Sequence, residues 1–364
     1  MPALPRRRSV LLAAGASGTL AALPGPARAS DHGDHGDGRR PVVIGHRGAA
    51  GWRPEHTEGS YAFAVRSGAD WIEPDLVPTK DHVLVVRHEN EISQTTDVSS
   101  RPEFADRRAR KLIDGRWVEG WFTEDFTLAE LKTLRTVERL PLVRNRNTVF
   151  NGREPILTFQ ETVDLARRLS RLHGRRIAVF PETKHPAYFR SIGLPLEPEL
   201  IRVIRRNRLD RHSCVVQSFE PASLLLMAEA GLRLPLWQAI GTTGGPFGHD
   251  LTYQQMTTAQ GLARIAEYAE WIGPDKSWVA PPSPLPANAH AAGLKVGAYT
   301  FRAENTYLPA AFRRGTAAHD FGDAFGEYAL HYGIGVDAVV TDFPDIAVLA
   351  RQEYCALVRP EHGT

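Results

Sequence analysis

Between Val42 and Glu89 the chain places two histidines and several acids at the ends of short apolar runs. These runs read Ile44-Gly45-His46-Arg47-Gly48-Ala49, Pro54-Glu55-His56-Thr57, Asp70-Trp71-Ile72-Glu73-Pro74-Asp75 and Val83-Leu84-Val85-Val86-Arg87-His88-Glu89. Side chains alternate between the faces of a strand, so Glu73 and Asp75, one residue apart, point the same way. Taken alone, such a pair is more often a solvated strand face. Here the apolar neighbours imply a buried strand, and two buried like charges call for a counter-ion, which a hard divalent cation with oxygen ligands supplies. Glu182, in Ile177-Ala178-Val179-Phe180-Pro181-Glu182-Thr183-Lys184, follows another strand-like run and offers a third oxygen ligand. The competing assignment for it is a surface acid paired with Lys184.

His46 and His88 each close an apolar run, which predicts that both reach one mouth as an acid and base pair. A lone strand-end histidine is usually structural. Two of them beside a carboxylate cluster fit phosphodiester cleavage, which takes a proton from the nucleophile and delivers one to the leaving alkoxide. Arg47, with its planar fork, and Lys184, as a point charge, are candidates to neutralise nonbridging phosphate oxygens, the alternative being ordinary salt bridges.

Bringing these residues together requires strands that end on one side of a common frame. From Pro41 onward short apolar strands alternate with helical patterns, the signal for βαβ units and a parallel sheet. The strand candidates are 42–47, 71–76, 83–88, 176–182, 213–218, 234–239, 295–300 and 337–342. Helices are expected over 57–67, 159–171, 196–207, 221–230, 260–270, 285–292 and 319–332. Eight strands predict an α/β fold of the closed (β/α)8 TIM-barrel type, whose active sites gather at the C-terminal strand ends. The alternation breaks between about 90 and 154, where Arg107-Arg108-Ala109-Arg110-Lys111 is followed by Trp117, Trp121 and Phe122. This insertion after the third strand segment is expected to form either a substrate rim or a small subdomain packing its aromatics on the barrel. Its basic run reads as a solvated face before a nucleic-acid site. A single barrel domain is expected over 41–364.

The chain's 364 residues, 42% apolar, can bury a large core. Lys and Arg total 44 against 42 acids, and the formal charge of +2 makes no general case for nucleic-acid or membrane binding. Function therefore rests on local features. Residues 1–29 read as a signal peptide of the twin-arginine class, with Arg6-Arg7-Arg8, an apolar run of small residues and Ala27-Arg28-Ala29. Export is expected, secreted or to the periplasmic or cell-wall side. The run over 10–23 is too short and too rich in Ala and Gly for a spanning helix, and no cysteine follows the cleavage point, so no stable membrane anchor is expected. Residues 30–40, with Asp31-His32-Gly33-Asp34-His35-Gly36-Asp37-Gly38, read as a polar flexible leader in preference to a weak metal site. Cys214 and Cys355 are the only cysteines; export would permit them to pair, and neither has an activating base beside it.

At these residues the sequence resembles the glycerophosphodiester phosphodiesterase family in its exported bacterial form. The likeness is carried by His46-Arg47-Gly48, Pro54-Glu55-His56-Thr57, the run from Gly68-Ala69-Asp70 to Asp75, the run from Thr79-Lys80-Asp81 to His88, and Pro181-Glu182-Thr183-Lys184. Tyr299-Thr300-Phe301 and Thr341-Asp342-Phe343-Pro344 extend it toward the end of the chain. The resemblance implies a barrel that hydrolyses glycerophosphodiesters, such as glycerophosphocholine, to sn-glycerol 3-phosphate and an alcohol. It implies His46 and His88 as the catalytic pair, and Glu73, Asp75 and Glu182 as ligands of one divalent cation, Ca²⁺ or Mg²⁺. Arg47 and Lys184 would hold phosphate, and Glu55 would order the site or touch the glycerol or the metal. The long insertion is similar to that of the family's glycerol-recognising members. His56 stands for the usual Asn, His82 for a Gly after Asp81, and Glu89 for the Asp after His88; none removes a proposed ligand or catalyst. The expected partner is a small-molecule substrate. A related barrel phospholipase acting on lipids and a non-catalytic glycerophosphodiester-binding protein are the competing readings.

Overall fold

Eight staves close into a ring, and two prolines divide two of those staves into shorter strands. The structure, a computed structural model, describes residues 40–358; the expected signal peptide and all of the expected leader except Arg40 lie outside the described residues. Strand β1 (Val42–Gly45) pairs in parallel with β2 (Trp71–Ile72), which resumes beyond Pro74 as β3 (Asp75–Pro78). β4 (Leu84–Val86) folds back antiparallel on β3, and β5 (Ala109–Ile113) with β6 (Arg116–Gly120) forms a separate hairpin. The next stave is β7 (Ala178–Val179) continued as β8 (Glu182–Thr183). Trp71 lies in register with Ala178, and Asp75 with Glu182, so the two staves pair without a slip across Pro74 and Pro181. Each proline lacks the N–H that the ladder would use at that level. β9 (Val216–Ser218), β10 (Leu236–Ile240), β11 (Trp271–Pro274), β12 (Lys295–Phe301) and β13 (Ala338–Thr341) complete the circle, and β13 pairs with β1. This is the expected (β/α)8 barrel.

Its staves are not all the expected ones. The segment 83–88 is a hairpin arm on the second stave, so the insertion follows the third strand segment, as expected, but enters the ring between its second and third staves. The remaining stave is Trp271–Pro274, which pairs in parallel with β10 and β12 and lies outside the expected strands. Four residues ending Gly-Pro, set directly after a helical pattern, carry a turn signature, whereas their complete burial is a property of the closed barrel. A final helix, Pro344–Val358, packs against β1 and lies beyond the expected helices.

Inside the barrel, Ile44, Phe180, Val215, Trp237, Trp271 and Val340 form an apolar plug. The Trp237 and Trp271 rings stack 5.0 Å apart. Gly273 and Gly297 make room for them: a Cβ on either would come within 1.9 Å of the Trp237 ring. A second, larger core lies between staves and helices. With the lumen filled, only the C-terminal mouth is left for polar side chains. Helix ends are fixed locally. Thr158 and Glu161 form a reciprocal cap on helix Phe159–His173, and Gly174 closes it with φ 61°.

The insertion packs part of its aromatics inward, as a small subdomain would, and leaves one of them outside. Phe122 is fully buried and the Trp121 indole donates to Phe104 O at 2.6 Å, while Trp117 is exposed on the hairpin. The basic run is occupied locally: Arg108 pairs with Glu119, Arg110 lies over Trp117, and Lys111 reaches Glu124 and Asp125. Both cysteines are free; Cys214 is buried, which pushes its thiol pKa up and away from nucleophile chemistry.

In the turn between β3 and β4, exposed His82 sits at φ 61°, the left-handed region. A β-carbon is costly there, and glycine avoids that cost at some expense in unfolded-chain entropy. His82→Gly is therefore expected to stabilise the protein by about 0.5–1 kcal/mol, read as a thermal midpoint higher by about 2 °C. An unchanged or lower midpoint would count against this account of the turn.

Candidate active site

The second and third staves bring the acids together. Because Asp75 and Glu182 occupy paired register positions, their side chains share the barrel mouth, and Glu73 joins them from one pleat earlier. One carboxylate oxygen from each of Glu73, Asp75 and Glu182 lies within 4.8 Å of the others, and all three residues are buried. Each acid also has a specific neighbour. Gln217 Nε2 donates to Glu73 Oε1 at 2.6 Å, His56 Nε2 lies 2.9 Å from Asp75 Oδ2, and Lys184 Nζ donates to Glu182 Oε1 at 2.7 Å.

Three buried carboxylates cannot all remain charged at ordinary cost. Burial, with Asp75 and Glu182 beside it, pushes Glu73 well above the usual carboxylate range. Glu182 rises to about 7, through burial opposed by Lys184. Asp75 stays ionised despite burial because His56 and Lys184 hold it low. Its Oδ1 is buried and has no hydrogen-bond partner. An orphaned oxygen, two acids driven toward protonation and a third held as carboxylate together form a donor set that fits a hard divalent cation.

Each histidine has its own carboxylate. His46 leaves the end of β1 with Nδ1 2.5 Å from Asp342 Oδ1. A carboxylate only accepts, so Nδ1 carries the proton and Nε2 is the free lone pair, accepting from Arg47 Nε at 3.2 Å and lying 3.8 Å from Glu73 Oε2. Asp342 is itself clamped by Arg144 Nη2 at 2.6 Å and Arg302 Nε at 2.9 Å. His88, two residues past β4, returns level with Asp75, whose carbonyl accepts from Arg87 N. Its Nδ1 lies 2.7 Å from Glu89 Oε1, and its Nε2 accepts from Lys184 Nζ at 3.1 Å. Burial and the adjacent Arg47 lower His46 to about 4, against the pull of Asp342. Burial, Arg47 and Lys184 lower His88 to about 3. Both rings are therefore neutral at pH 7 and present Nε2.

Arg47 sits among these groups at φ 55°, its Nη1 on Glu55 Oε2 at 2.9 Å and its Nε 3.5 Å from Asp75 Oδ2. Gly48 follows at φ 90°, where a Cβ would meet Ser60 Oγ at 2.4 Å, so the turn after β1 requires glycine. Glu55 accepts a second bond from Arg139 of the insertion, and its Oε1 is buried without a partner. Beside Glu182 and Lys184 opens a cavity of about 480 Å³, walled by Phe219, Phe247 and Tyr253 on one side and by Ile113, Asp114 and Val118 of the hairpin on the other.

All eight site residues singled out from the sequence lie at this one mouth. His88 arrives there by a different route from the one expected, on the hairpin arm and not at the end of a barrel stave. Several residues that shape the site carried no such signal. Gln217 is one polar residue in a short strand. Arg139, Arg144 and Arg302 belong to loops whose path only the fold defines. Asp342, in Thr341-Asp342-Phe343-Pro344, carries the motif but no distinct chemical signal in the sequence; its position just past a stave end is the available clue.

The glycerophosphoryl diester phosphodiesterase family model matches residues 46–346. A glycerophosphodiester phosphodiesterase of Arabidopsis thaliana is 32% identical over 327 residues, spanning 84% of this chain and 84% of that protein. One from Haemophilus influenzae is 28% identical over 341 residues, spanning 84% and 88%. Among solved structures, a putative glycerophosphoryl diester phosphodiesterase from Silicibacter pomeroyi superposes with TM-score 0.64 at 24% identity, covering 87% of this chain and 95% of that one. An Oleispira antarctica phosphodiesterase, solved with the product sn-glycerol-3-phosphate, superposes at 0.59 with 19% identity, covering 86% and 97%. These likenesses of structure concern the fold. The matched span opens on His46, includes every site residue and extends past Asp342, and on that extent the chain belongs to the glycerophosphoryl diester phosphodiesterase family.

Proposed function

We propose that the protein hydrolyses glycerophosphodiesters to sn-glycerol 3-phosphate and an alcohol, with His46 and His88 as its acid and base. The observation that carries this reading is the pair of neutral imidazoles, each oriented by a carboxylate, flanking three convergent acids in a chain of this family. Glu73, Asp75 and Glu182 would hold one divalent cation, Ca²⁺ or Mg²⁺, which when bound supplies positive charge to the reacting phosphate and the glycerol hydroxyls. Arg47 and Lys184 would take the nonbridging oxygens, a reading supported by Arg47 Nε lying 3.2 Å from His46 Nε2 and Lys184 Nζ 3.1 Å from His88 Nε2.

The substrate also resets the histidines. Arg47 and Lys184 depress both imidazoles in the free site; a phosphodiester anion beside them offsets that charge and raises both pKa values. One ring then carries a proton for the departing alkoxide while the other accepts one from the nucleophile. The cavity beside Lys184 receives the alcohol portion, and the hairpin forms its outer wall.

Turnover of glycerophosphocholine, followed by release of sn-glycerol 3-phosphate, should vanish with chelator and return with added Ca²⁺ or Mg²⁺. Undiminished activity in chelator would overturn the cation's part. The sign of the pH effect follows from the acids. Glu182 titrates near pH 7 and Glu73 above the usual range, and both must lose protons to bind metal, so cation affinity should rise with pH through this window and fall below it. Calorimetry in buffers of differing ionisation enthalpy should show proton release on binding at pH 6 to 7; no release would contradict the assignment of these ligands.

A further inference from the structure

We propose that His185 is a positioning residue for His88, acting through Glu89 and anchored by Asp114 on the insertion hairpin. The inference builds on the reading of His88 as an acid or base. A comparison of the two histidine–carboxylate pairs motivates it. Asp342 is almost fully buried and held by two arginines, so it can fix the His46 ring firmly. Glu89 is 51% exposed at its side chain and sits on a longer, more flexible stem. An exposed carboxylate of that kind orients a partner poorly unless something holds it.

His185 is that clamp. Its Nε2 lies 3.0 Å from Glu89 Oε2, and its Nδ1 lies 2.5 Å from Asp114 Oδ2. Both partners are carboxylates that only accept, so both ring nitrogens donate and the ring is an imidazolium. Burial opposes that charge, but the two hydrogen bonds outweigh it and hold the pKa at about 9. Glu89 thus has one oxygen for each ring, Oε1 for His88 and Oε2 for His185. Asp114 at φ 46° and Gly115 at φ 77° form the two-residue turn between β5 and β6, a geometry that Asp-Gly favours and that presents Asp114 to His185, which itself lies at φ 48°. His185 follows Lys184 directly, so the residue that donates to His88 Nε2 and the residue that holds the partner of its Nδ1 leave the third stave together. Through Asp114, in the turn between β5 and β6, the insertion reaches His88 by three successive hydrogen bonds.

The experiment is a double-mutant cycle on the full chain with glycerophosphocholine and saturating cation, with thermal midpoints recorded for each variant. His185→Ala is expected to lower kcat about tenfold with little change in KM, and Glu89→Gln by about 30- to 100-fold. The double variant should be no slower than Glu89→Gln alone, because His185 acts only through Glu89. His185→Asn tolerates the left-handed backbone and can donate one hydrogen bond, so it should recover part of the loss. Wild-type kcat in His185→Ala, or losses that multiply in the double variant, would overturn the proposal. A second readout needs no turnover: the His88 Nδ1–H proton resonance of ¹⁵N-histidine-labelled protein should move or broaden in His185→Ala. An unmoved resonance overturns the clamp regardless of kinetics. A wild-type protein that shows the coupling in this spectrum yet turns over no glycerophosphodiester would count against the phosphodiesterase reading and for the clamp.

Discussion

His46→Ala is expected to lower kcat for glycerophosphocholine by about 10²- to 10⁴-fold, the range contributed by a positioned proton-transfer group. The thermal midpoint should stay near wild type, because Asp342 keeps Arg144 and Arg302 as partners when the imidazole is gone. Asp342→Asn should behave differently. The amide no longer obliges His46 Nδ1 to be the protonated nitrogen, so the tautomer that exposes the Nε2 lone pair is no longer enforced, and kcat should fall by about 10²- to 10³-fold. It also removes the negative charge facing two cations in a buried setting, where breaking an ion pair costs about 3 kcal/mol or more. Arg144 retains Glu304 at 2.7 Å, which limits the damage. One variant is thus predicted to lose rate without stability and the other to lose both. Steady-state kinetics with calorimetric melting distinguishes them, and full activity in His46→Ala would remove this residue from the reaction.

The second large effect concerns the acids. Glu73→Gln should abolish most cation-dependent activity, by about 10²-fold or more, while making the metal-free protein more stable. Glu73 is the acid most strongly driven toward protonation, by burial and by Asp75 and Glu182. A neutral amide of the same shape removes that repulsion; its one oxygen can still accept from Gln217 Nε2 but not also from Arg47 N, which donates to Glu73 Oε2 at 3.1 Å, so the gain is partly offset. Wild-type protein at a cation concentration 100 times its dissociation constant should gain about 2.7 kcal/mol of stability. Glu73→Gln should lose nearly all of that gain. Melting curves with and without cation read the crossing directly: wild type below the variant in chelator, above it in metal. A variant that still gains wild-type stability from cation would show that Glu73 is not a ligand.

The readable part of this site was the part written in single elements. Glu73 and Asp75 share a face because strands have a period of two, and Glu182 follows a strand whose apolar run marks it as buried. His82 and His56, standing for Gly and Asn, both occupy positive φ, at 61° and 58°. Their replacement of residues suited to left-handed backbone was visible in the motif, although its cost was not. His88 shows the boundary of such reasoning. It closes an apolar run as His46 does, but β4 turns back on β3, so the same local pattern belongs to a hairpin arm. Trp271–Pro274 is the reverse case, a barrel stave whose Gly-Pro ending reads as a turn.

From the sequence alone came the alternation of strands and helices and the gathering of two histidines and three acids at one mouth. These follow from periodicity and charge, which act over a few residues. Only the tertiary structure decided which carboxylate orients which imidazole, that Arg144 and Arg302 grip Asp342, and that the hairpin reaches His88 through Asp114, His185 and Glu89. Those contacts join residues as far apart as His46 and Asp342, and they exist because the ring closes. Until β13 pairs with β1, nothing in the local chain brings the two ends of the barrel to one mouth.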